Sequence, residues 1–363
     1  MLLLMTSAPV ILPAQEQPHP VRVAIVGLAH DHVVGFLGQL PQHPEVELVG
    51  IAEADSNLIE KYKKKFGLAE TLFFKSEAHM IETRRPQAVL VYTSIAEHRN
   101  AIGVAAQYGV SSMVEKPLTI SLEDALAIRK IARYHKVHVL VNYETTWYPS
   151  NRAAYDAVRD NRIGPIRRVV VHDGHEGPKE IGVSPEFLAW LTDPAQNGAG
   201  ALYDFGCYGV DLMTWLMRGE TPESVTAVVN HDKPEIYPKV DDDSTIVLKY
   251  PKAQAVIQGS WNWPFSRKDM EVYGATGYVV TVASEGLRTR FAHESAERTA
   301  TATALPDDER SSLGYLVAVL NGKITDKGDL SALDTNVTAM QVLDAARESA
   351  RTGKSVRLTK LPD

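Results

Sequence analysis

Three short stretches of the chain carry side chains able to move a proton and to hold a phosphate. Glu115-Lys116-Pro117 sets a carboxylate and an ammonium side by side at the end of an apolar run. A lysine there orients a substrate hydroxyl, or accepts its proton once burial or a neighbouring cation lowers its pKa. The stretch GAGALYDFGCYGVDL, from Gly198 to Leu212, spaces Asp204 and Tyr208 by four residues, one turn of a helix, and its glycines let a chain approach a ligand closely. A phenol with an ordinary pKa of about 10 is a poor base at neutral pH, so Tyr208 needs a cation such as Lys116 to hold its phenolate.

The third stretch is Gly27-Leu28-Ala29-His30-Asp31-His32, between an apolar run and a helical pattern. In a dinucleotide fold the first glycine allows the tight turn, the second admits the pyrophosphate, and the third lets helix and strand pack closely. Here Gly27 stands in the first place, Ala29 is a small substitute in the second, and His32 takes the third. Glu53 ends the next apolar run, where an acid accepts hydrogen bonds from the adenosine ribose and repels a 2′-phosphate, so NAD is favoured over NADP. Asp55 is instead placed to cap the following helix.

The elements that must position these residues follow from periodicity. From Val21 to Tyr143, the apolar runs VRVAIVG, VELVGIAEA, QAVLVYT, SSMVEK and VHVLVNY alternate with segments of helical period, the pattern of a parallel sheet with crossover helices. Ser121 and Asp124 form a capping-box-like start for a helix to about His135, and Gly109 marks the stop of an earlier one. After Tyr143 the rhythm changes. A helix near 151–160, the strand IRRVVVHD and a helix over 210–217 precede five strands in series, SVTAVVN, DSTIVLKY, AQAVIQGSW, DMEVYG and YVVTV. Helices near 313–320 and 335–351 follow, which makes the second domain α+β with an open, mostly antiparallel sheet. The expected division is residues 1–20 as a signal-like segment and linker, 21–143 as an α/β Rossmann dinucleotide-binding domain, and 144–363 as a substrate-binding and oligomerisation domain.

Composition bounds the function. The chain has 363 residues, 44% hydrophobic and 23% charged, ordinary values for a folded globular protein. Lys plus Arg minus Asp plus Glu is 38 − 45 = −7, which gives no basic excess for nucleic acid or an anionic membrane. The one cysteine, Cys207, excludes an internal disulfide framework and a cysteine-rich metal site. The opening MLLLMTSAPVILPAQ is apolar and uncharged, too short to span a bilayer with margin, and reads as an export signal lacking its basic start. As an export signal it is expected to direct the protein to the periplasm or outside the cell, with a tightly held cofactor; without export the protein is expected in the cytoplasm.

The sequence resembles the Gfo/Idh/MocA family of nicotinamide-dependent oxidoreductases over nearly everything from Val21 to Leu358. The resemblance rests on VAIVGLAHDHV, YTSIAEH, VEKPLTISLEDA, NGAGALYDFGCYGVDL, VDDDSTIVLKYP, MEVYGATGYV and DAARESARTGKSVRL, seven segments in order. It implies a Rossmann domain joined to an α/β domain whose open sheet builds homodimers or homotetramers. It also implies hydride transfer to or from a hydroxyl-bearing carbon of a sugar or polyol. Lys116, Asp204 and Tyr208 are then catalytic, Tyr208 replacing the histidine of the inositol dehydrogenase branch, and Glu115 touches the cofactor beside Gly27, Leu28, Ala29, His30, His32, Glu53, Thr93, Ser94, His98 and Lys116. On this view Lys116 lowers the pKa of Tyr208 while Asp204 holds Lys116 and the substrate.

Weaker signals are His172 and His175 at a strand end, and Trp263 and Arg267 within SWNWPFSRKD, offered as substrate contacts. No third ligand lies at a recognisable interval, so no metal is expected. Thr146 stands where many relatives carry an arginine. Two other functions compete: a glycoside hydrolase that uses bound NAD for transient oxidation and elimination, and a non-enzymatic regulator, which the presence of Lys116 disfavours.

Overall fold

The computed structural model describes residues 19–362; the apolar segment expected to be an export signal lies outside the described residues. The first half alternates as its periodicity requires. In order come β1 (Val21–Val26), α1 (His32–Gln39), β2 (Val46–Ala52), α2 (Ser56–Phe66), β3 (Phe73–Phe74), α3 (Glu77–Arg84), β4 (Ala88–Val91), α4 (His98–Gln107), β5 (Ser111–Glu115), α5 (Leu122–His135) and β6 (Val139–Asn142). The strands form a parallel sheet of order β3-β2-β1-β4-β5-β6, so the order reverses at β1 and β4, where such sheets bind ligands at their C-terminal edge. The expected caps are present: Asp55 accepts from the Asn57 N–H, Ser121 from the Asp124 N–H, and Gly109 has φ +70°.

The second half begins with α6 (Pro149–Arg159), β7 (Ile166–Gly174), α7 (Pro185–Leu191), α8 (Pro194–Asn197), α9 (Ala201–Asp204) and α10 (Gly206–Leu216). Then follow β8 (Ser224–Asn230), β9 (Asp243–Lys249), β10 (Gln254–Ser260), β11 (Arg267–Gly274), β12 (Tyr278–Val282), β13 (Gly286–Arg290), β14 (Arg298–Thr301), α11 (Ser312–Leu320), α12 (Leu333–Thr352) and β15 (Val356–Arg357). These strands make one sheet of order β14-β13-β12-β11-β7-β10-β9-β8-β15, antiparallel except where β7 lies beside β10. One face carries α10 and α12; on the other, Val228, Val247 and Val282 are exposed.

The glycines of the 198–209 stretch serve a different purpose from the one expected. A Cβ at Gly200 would fall 1.7 Å from the Asp241 carbonyl oxygen, and one at Gly209 would fall 2.4 Å from Ile257. They let α9 and α10 lie directly on the protein's own sheet rather than on a ligand. The domain division is also less simple than a cut near Tyr143. Leu313, Tyr315, Leu316, Val317 and Val319 of α11 are buried in the core of the first sheet with Val23, Ile25, Phe36 and Leu90. Each such apolar side chain contributes about 1.5–3 kcal/mol relative to exposure, which fixes the returning chain against the Rossmann half. Asp344 of α12 adds a polar tie, accepting from the Leu122 N–H at 2.7 Å and the Tyr203 hydroxyl at 2.8 Å.

Candidate active site

The C-terminal edge of the parallel sheet opens into adjoining clefts. At one end, a cleft of about 350 Å³ is lined by Gly27, Ala29, Glu53, Lys75, Glu77, Thr93 and Asn100. Gly27 has φ +81°, and a Cβ there would lie 2.6 Å from Thr93 Cγ2, so the turn requires glycine. Glu53 accepts from the Leu28 N–H and the Asp55 N–H, each at 2.8 Å. Each carboxylate oxygen keeps a second lone pair, which leaves Glu53 able to accept from ribose hydroxyls. The Leu28 side chain is in the core, so only its main chain borders the loop. Burial pushes Glu77, which the sequence did not single out, up to about 8.

Between the two ends, the loop after β1 meets β5. His32 Nδ1 lies 2.8 Å from Glu115 Oε2, the His32 N–H donates to His30 Nδ1 at 3.2 Å, and Asn142 donates to Glu115 Oε1 at 2.9 Å. His30, His32 and Glu115 thus place metal-ligand atom types within 4.8 Å of one another, with ring nitrogens already engaged in hydrogen bonds. His30 itself is enclosed by Tyr92, Phe187 and Trp190, and its burial holds its pKa well below the usual imidazole range. His98 donates from Nδ1 to the Leu118 carbonyl at 3.1 Å, while burial lowers its pKa to about 4 and its Nε2 has no partner among the described residues; fully buried, it lines neither cleft. Ser94 is buried and donates to Gln196 at 2.8 Å.

The end that holds the residues expected to be catalytic is a cleft of about 470 Å³ between β5, α7, α10 and β11. Lys116, 7% exposed at the end of β5, donates to the Asp204 carbonyl at 3.0 Å and pairs with the Asp204 carboxylate. The second Asp204 oxygen accepts from Trp261 Nε1 at 2.9 Å. Trp261 is fully buried, so this indole positions Asp204 and does not reach a sugar. Lys116 Nζ lies 5.2 Å from the centroid of the Tyr208 ring, so the three residues expected to be catalytic do come together. Cys207 is buried beneath them, its thiol donating to the Asp204 carbonyl at 3.4 Å.

The electrostatics differ from expectation. Burial drives the Tyr208 pKa well above its ordinary value, and Glu144, Cys207, Asp204 and Asp173 push it further up. Lys116 does not lower it below that value, because the lysine charge is paired with Asp204 and burial of the phenol dominates. Tyr208 therefore rests as a neutral phenol. Lys116 is likewise not an incipient base: burial disfavours its charge, but Asp204 outweighs burial and raises its pKa.

Two of the expected substrate contacts reach this cleft and two do not. His175 lines it, and Arg267 borders it while its guanidinium is held by Asp269 over Trp263. His172 precedes Asp173 in β7, so strand alternation turns it to the opposite, helix-free face, where it meets Asp269 at 2.8 Å. Trp263 packs there against the His172 ring and under the Arg267 guanidinium. The sequence passed over Glu144 and Asp173. Glu144 lines the cleft and pairs with Lys268; Asp173 is 1% exposed, with neither oxygen bonded among the described residues. Pro178, Ile181, Val183, Phe187 and Leu191 add an apolar wall.

Residues 21–143 match the oxidoreductase family with an NAD-binding Rossmann fold, and residues 151–280 match the GFO/IDH/MocA C-terminal domain. The chain belongs to the Gfo/Idh/MocA family. Among curated relatives, it is 23% identical over 230 residues to trans-1,2-dihydrobenzene-1,2-diol dehydrogenase of Mus musculus, covering 63% of this chain and 64% of that protein. It is 29% identical over 118 residues to D-apiose dehydrogenase of Paraburkholderia graminis, covering 32% and 31%. Aldose-aldose oxidoreductase from Caulobacter crescentus, solved with glycerol, superposes with TM-score 0.79 at 22% identity, covering 94% of this chain and all, 100%, of that one. An inositol dehydrogenase homologue from Azotobacter vinelandii with NAD+ gives TM-score 0.80 at 19% identity, covering 96% and 100%. These likenesses establish the Gfo/Idh/MocA fold. NAD is the cofactor of its first domain, and the Gly27 turn and Glu53 fit that cofactor.

Proposed function

We propose that the protein interconverts a hydroxyl and a carbonyl on a sugar or polyol, with Tyr208 as the acid–base group and Lys116 as the fixed cation beside it. The observation that carries this reading is the Lys116–Asp204 pair set 5.2 Å from the Tyr208 ring in a cleft adjoining the nucleotide pocket. When bound, the nicotinamide supplies the hydride or accepts it; Glu53, the Gly27 turn, His32 and Glu115 are the residues placed to hold the cofactor. In the reducing direction, the neutral Tyr208 O–H bond breaks, a new O–H forms on the substrate oxygen, and Tyr208 keeps the electron pair as phenolate beside Lys116. In the oxidising direction the phenol must first lose its proton, which favours alkaline pH for that direction.

Tyr208→Phe should leave NAD affinity unchanged and reduce turnover by about 10²- to 10⁴-fold, the usual share of a general acid–base group. Stopped assays with a panel of aldoses and polyols, read as NADH formed or consumed, check this; unchanged turnover removes Tyr208 from the chemistry. The apolar wall gives a specific reason to keep the glycosidase reading, since it suits an apolar aglycone. Aryl glycosides distinguish the two readings: release of aglycone without net NADH favours the hydrolase.

The helix-free face of the second sheet, with Val228, Val247 and Val282 exposed, supports a second copy of the chain as its covering partner in a homodimer or homotetramer.

A further inference from the structure

Two ammonium groups lie over one phenol in the cleft. Beside Lys116, Lys268 of β11 brings its Nζ to 4.8 Å from the Tyr208 ring centroid. Its side chain is only 19% exposed, and its ion pair with Glu144 ties β11 to the chain just after β6. Directly across the strand pair from Lys268 stands Asp173, on the same helix-covered face. Asp173 is buried with both oxygens unpartnered among the described residues, so the Lys268 ammonium is not drawn down to it and reaches out to Glu144 and Tyr208 instead.

We propose that Lys268, steered by Glu144, is a positioning residue that stabilises the Tyr208 phenolate between loss and recovery of its proton. The inference rests on Tyr208 being the acid–base group. A cation over an aromatic face is attracted to the ring, and more strongly once the ring carries the phenolate charge. A unit charge within about 4–6 Å favours the ionised form by about 1–3 pKa units. The groups facing Tyr208 are Lys116 from β5, Lys268 from β11, the Tyr143 phenol and Glu144 after β6, Asp173 from β7, His175 just beyond β7, and Asp204 and Cys207 from its own segment. Each ionised carboxylate, Asp204 and Glu144, is bonded to one of the two lysines. Loss of Lys268 therefore leaves Glu144 as an uncompensated negative charge beside the phenol.

The test is the pH profile of kcat in NAD-saturated enzyme with the fastest aldose or polyol of the panel, together with the phenolate difference absorbance of each variant against the same variant carrying Tyr208→Phe. Lys268→Gln should lower kcat about tenfold at neutral pH with little change in KM, and should move Tyr208 ionisation up by about one pH unit. Lys268→Arg should restore it, and Glu144→Gln should move it in the opposite direction, a reversal that a merely structural role does not give. An unmoved ionisation with a raised KM in Lys268→Gln makes Lys268 a substrate contact and overturns the inference alone. Should Lys268→Gln not fold, Lys268→Arg and Glu144→Gln still decide through the same titration. Full turnover in Tyr208→Phe fails the acid–base reading itself, and the inference falls with it.

Discussion

At the nucleotide end of the cleft, Glu53 rests its carboxylate on two main-chain N–H groups, whereas at the catalytic end Asp204 rests its carboxylate on the side chains of Lys116 and Trp261. The first acid is held by the turn that follows β1, 25 positions back, and by the Asp55 N–H two positions on, so a single βαβ unit is enough to build it. The second is held by residues from β5 and the end of β10, more than fifty positions away on either side, and exists only once both domains are packed. The nucleotide end is therefore robust to side-chain change. The catalytic end concentrates buried charge, where removing one partner exposes the other to the full cost of desolvation.

The sharpest way to break this contrast is Lys116→Met. It strands the nearly buried Asp204 carboxylate without its cation, and breaking such a buried pair costs about 3–5 kcal/mol. We expect a large drop in the urea midpoint and loss of turnover by at least the about 10²–10⁴ of an acid–base defect. The double variant Lys116→Met with Asp204→Asn should recover most of the stability and none of the activity. Recovery of neither would show that the lysine stem, rather than the charge pair, sets stability.

A smaller effect is expected at the other end. Glu53→Gln retains an oxygen for one of the two N–H groups but loses the charge that opposes a 2′-phosphate. NAD affinity should fall by about tenfold, roughly 1.4 kcal/mol, and the preference for NAD over NADP should narrow, with the urea midpoint nearly unchanged. Titration calorimetry with both dinucleotides checks it. Unchanged affinity for both would mean that Glu53 serves the turn alone.

The same contrast governs what the sequence disclosed. Five of the six strands of the first half follow from apolar period and caps, because each βα unit satisfies its own hydrogen bonds locally; the edge strand β3, two residues long, has no period to announce it. The strands β13 and β14, GLRTR and RTAT, are polar and mostly exposed, so they carry no apolar alternation to announce them. α11 has an apolar period but no local sign that its face belongs to the first sheet's core. Lys116, Asp204 and Tyr208 were legible as a motif set. Their protonation states were not, since desolvation of Tyr208 depends on α10 lying flat on β10, and the Lys268–Glu144 pair joins residues that are 124 positions apart. The misassignment of His172 is a matter of parity: a single residue separates it from Asp173, and the pleat sends the two to opposite faces.

The finest test compares two buried aspartates a few side chains apart. Burial raises the pKa of both, but at Asp204 the attraction of Lys116 outweighs it and the pKa ends below the ordinary value. At Asp173 burial wins over Lys268, and the pKa ends well above. The linkage signs are therefore opposite. Folded Asp173 keeps a proton that the unfolded chain gives up above pH about 4, so its contribution to stability declines as pH rises. Folded Asp204 holds a proton less tightly than the unfolded chain does, so its contribution is present above that pH and is lost on acidification. Asp173→Asn should match the wild type near pH 4 and become progressively more stable than it toward neutrality, while Asp204→Asn should be least stable, relative to wild type, at neutral pH and approach it in acid. Urea midpoints measured across that range for the three proteins give the two slopes directly. Parallel curves for wild type and Asp173→Asn would mean that Asp173 is ionised in the fold, which would place a third negative charge beneath Tyr208 and give Lys268 a second carboxylate to serve.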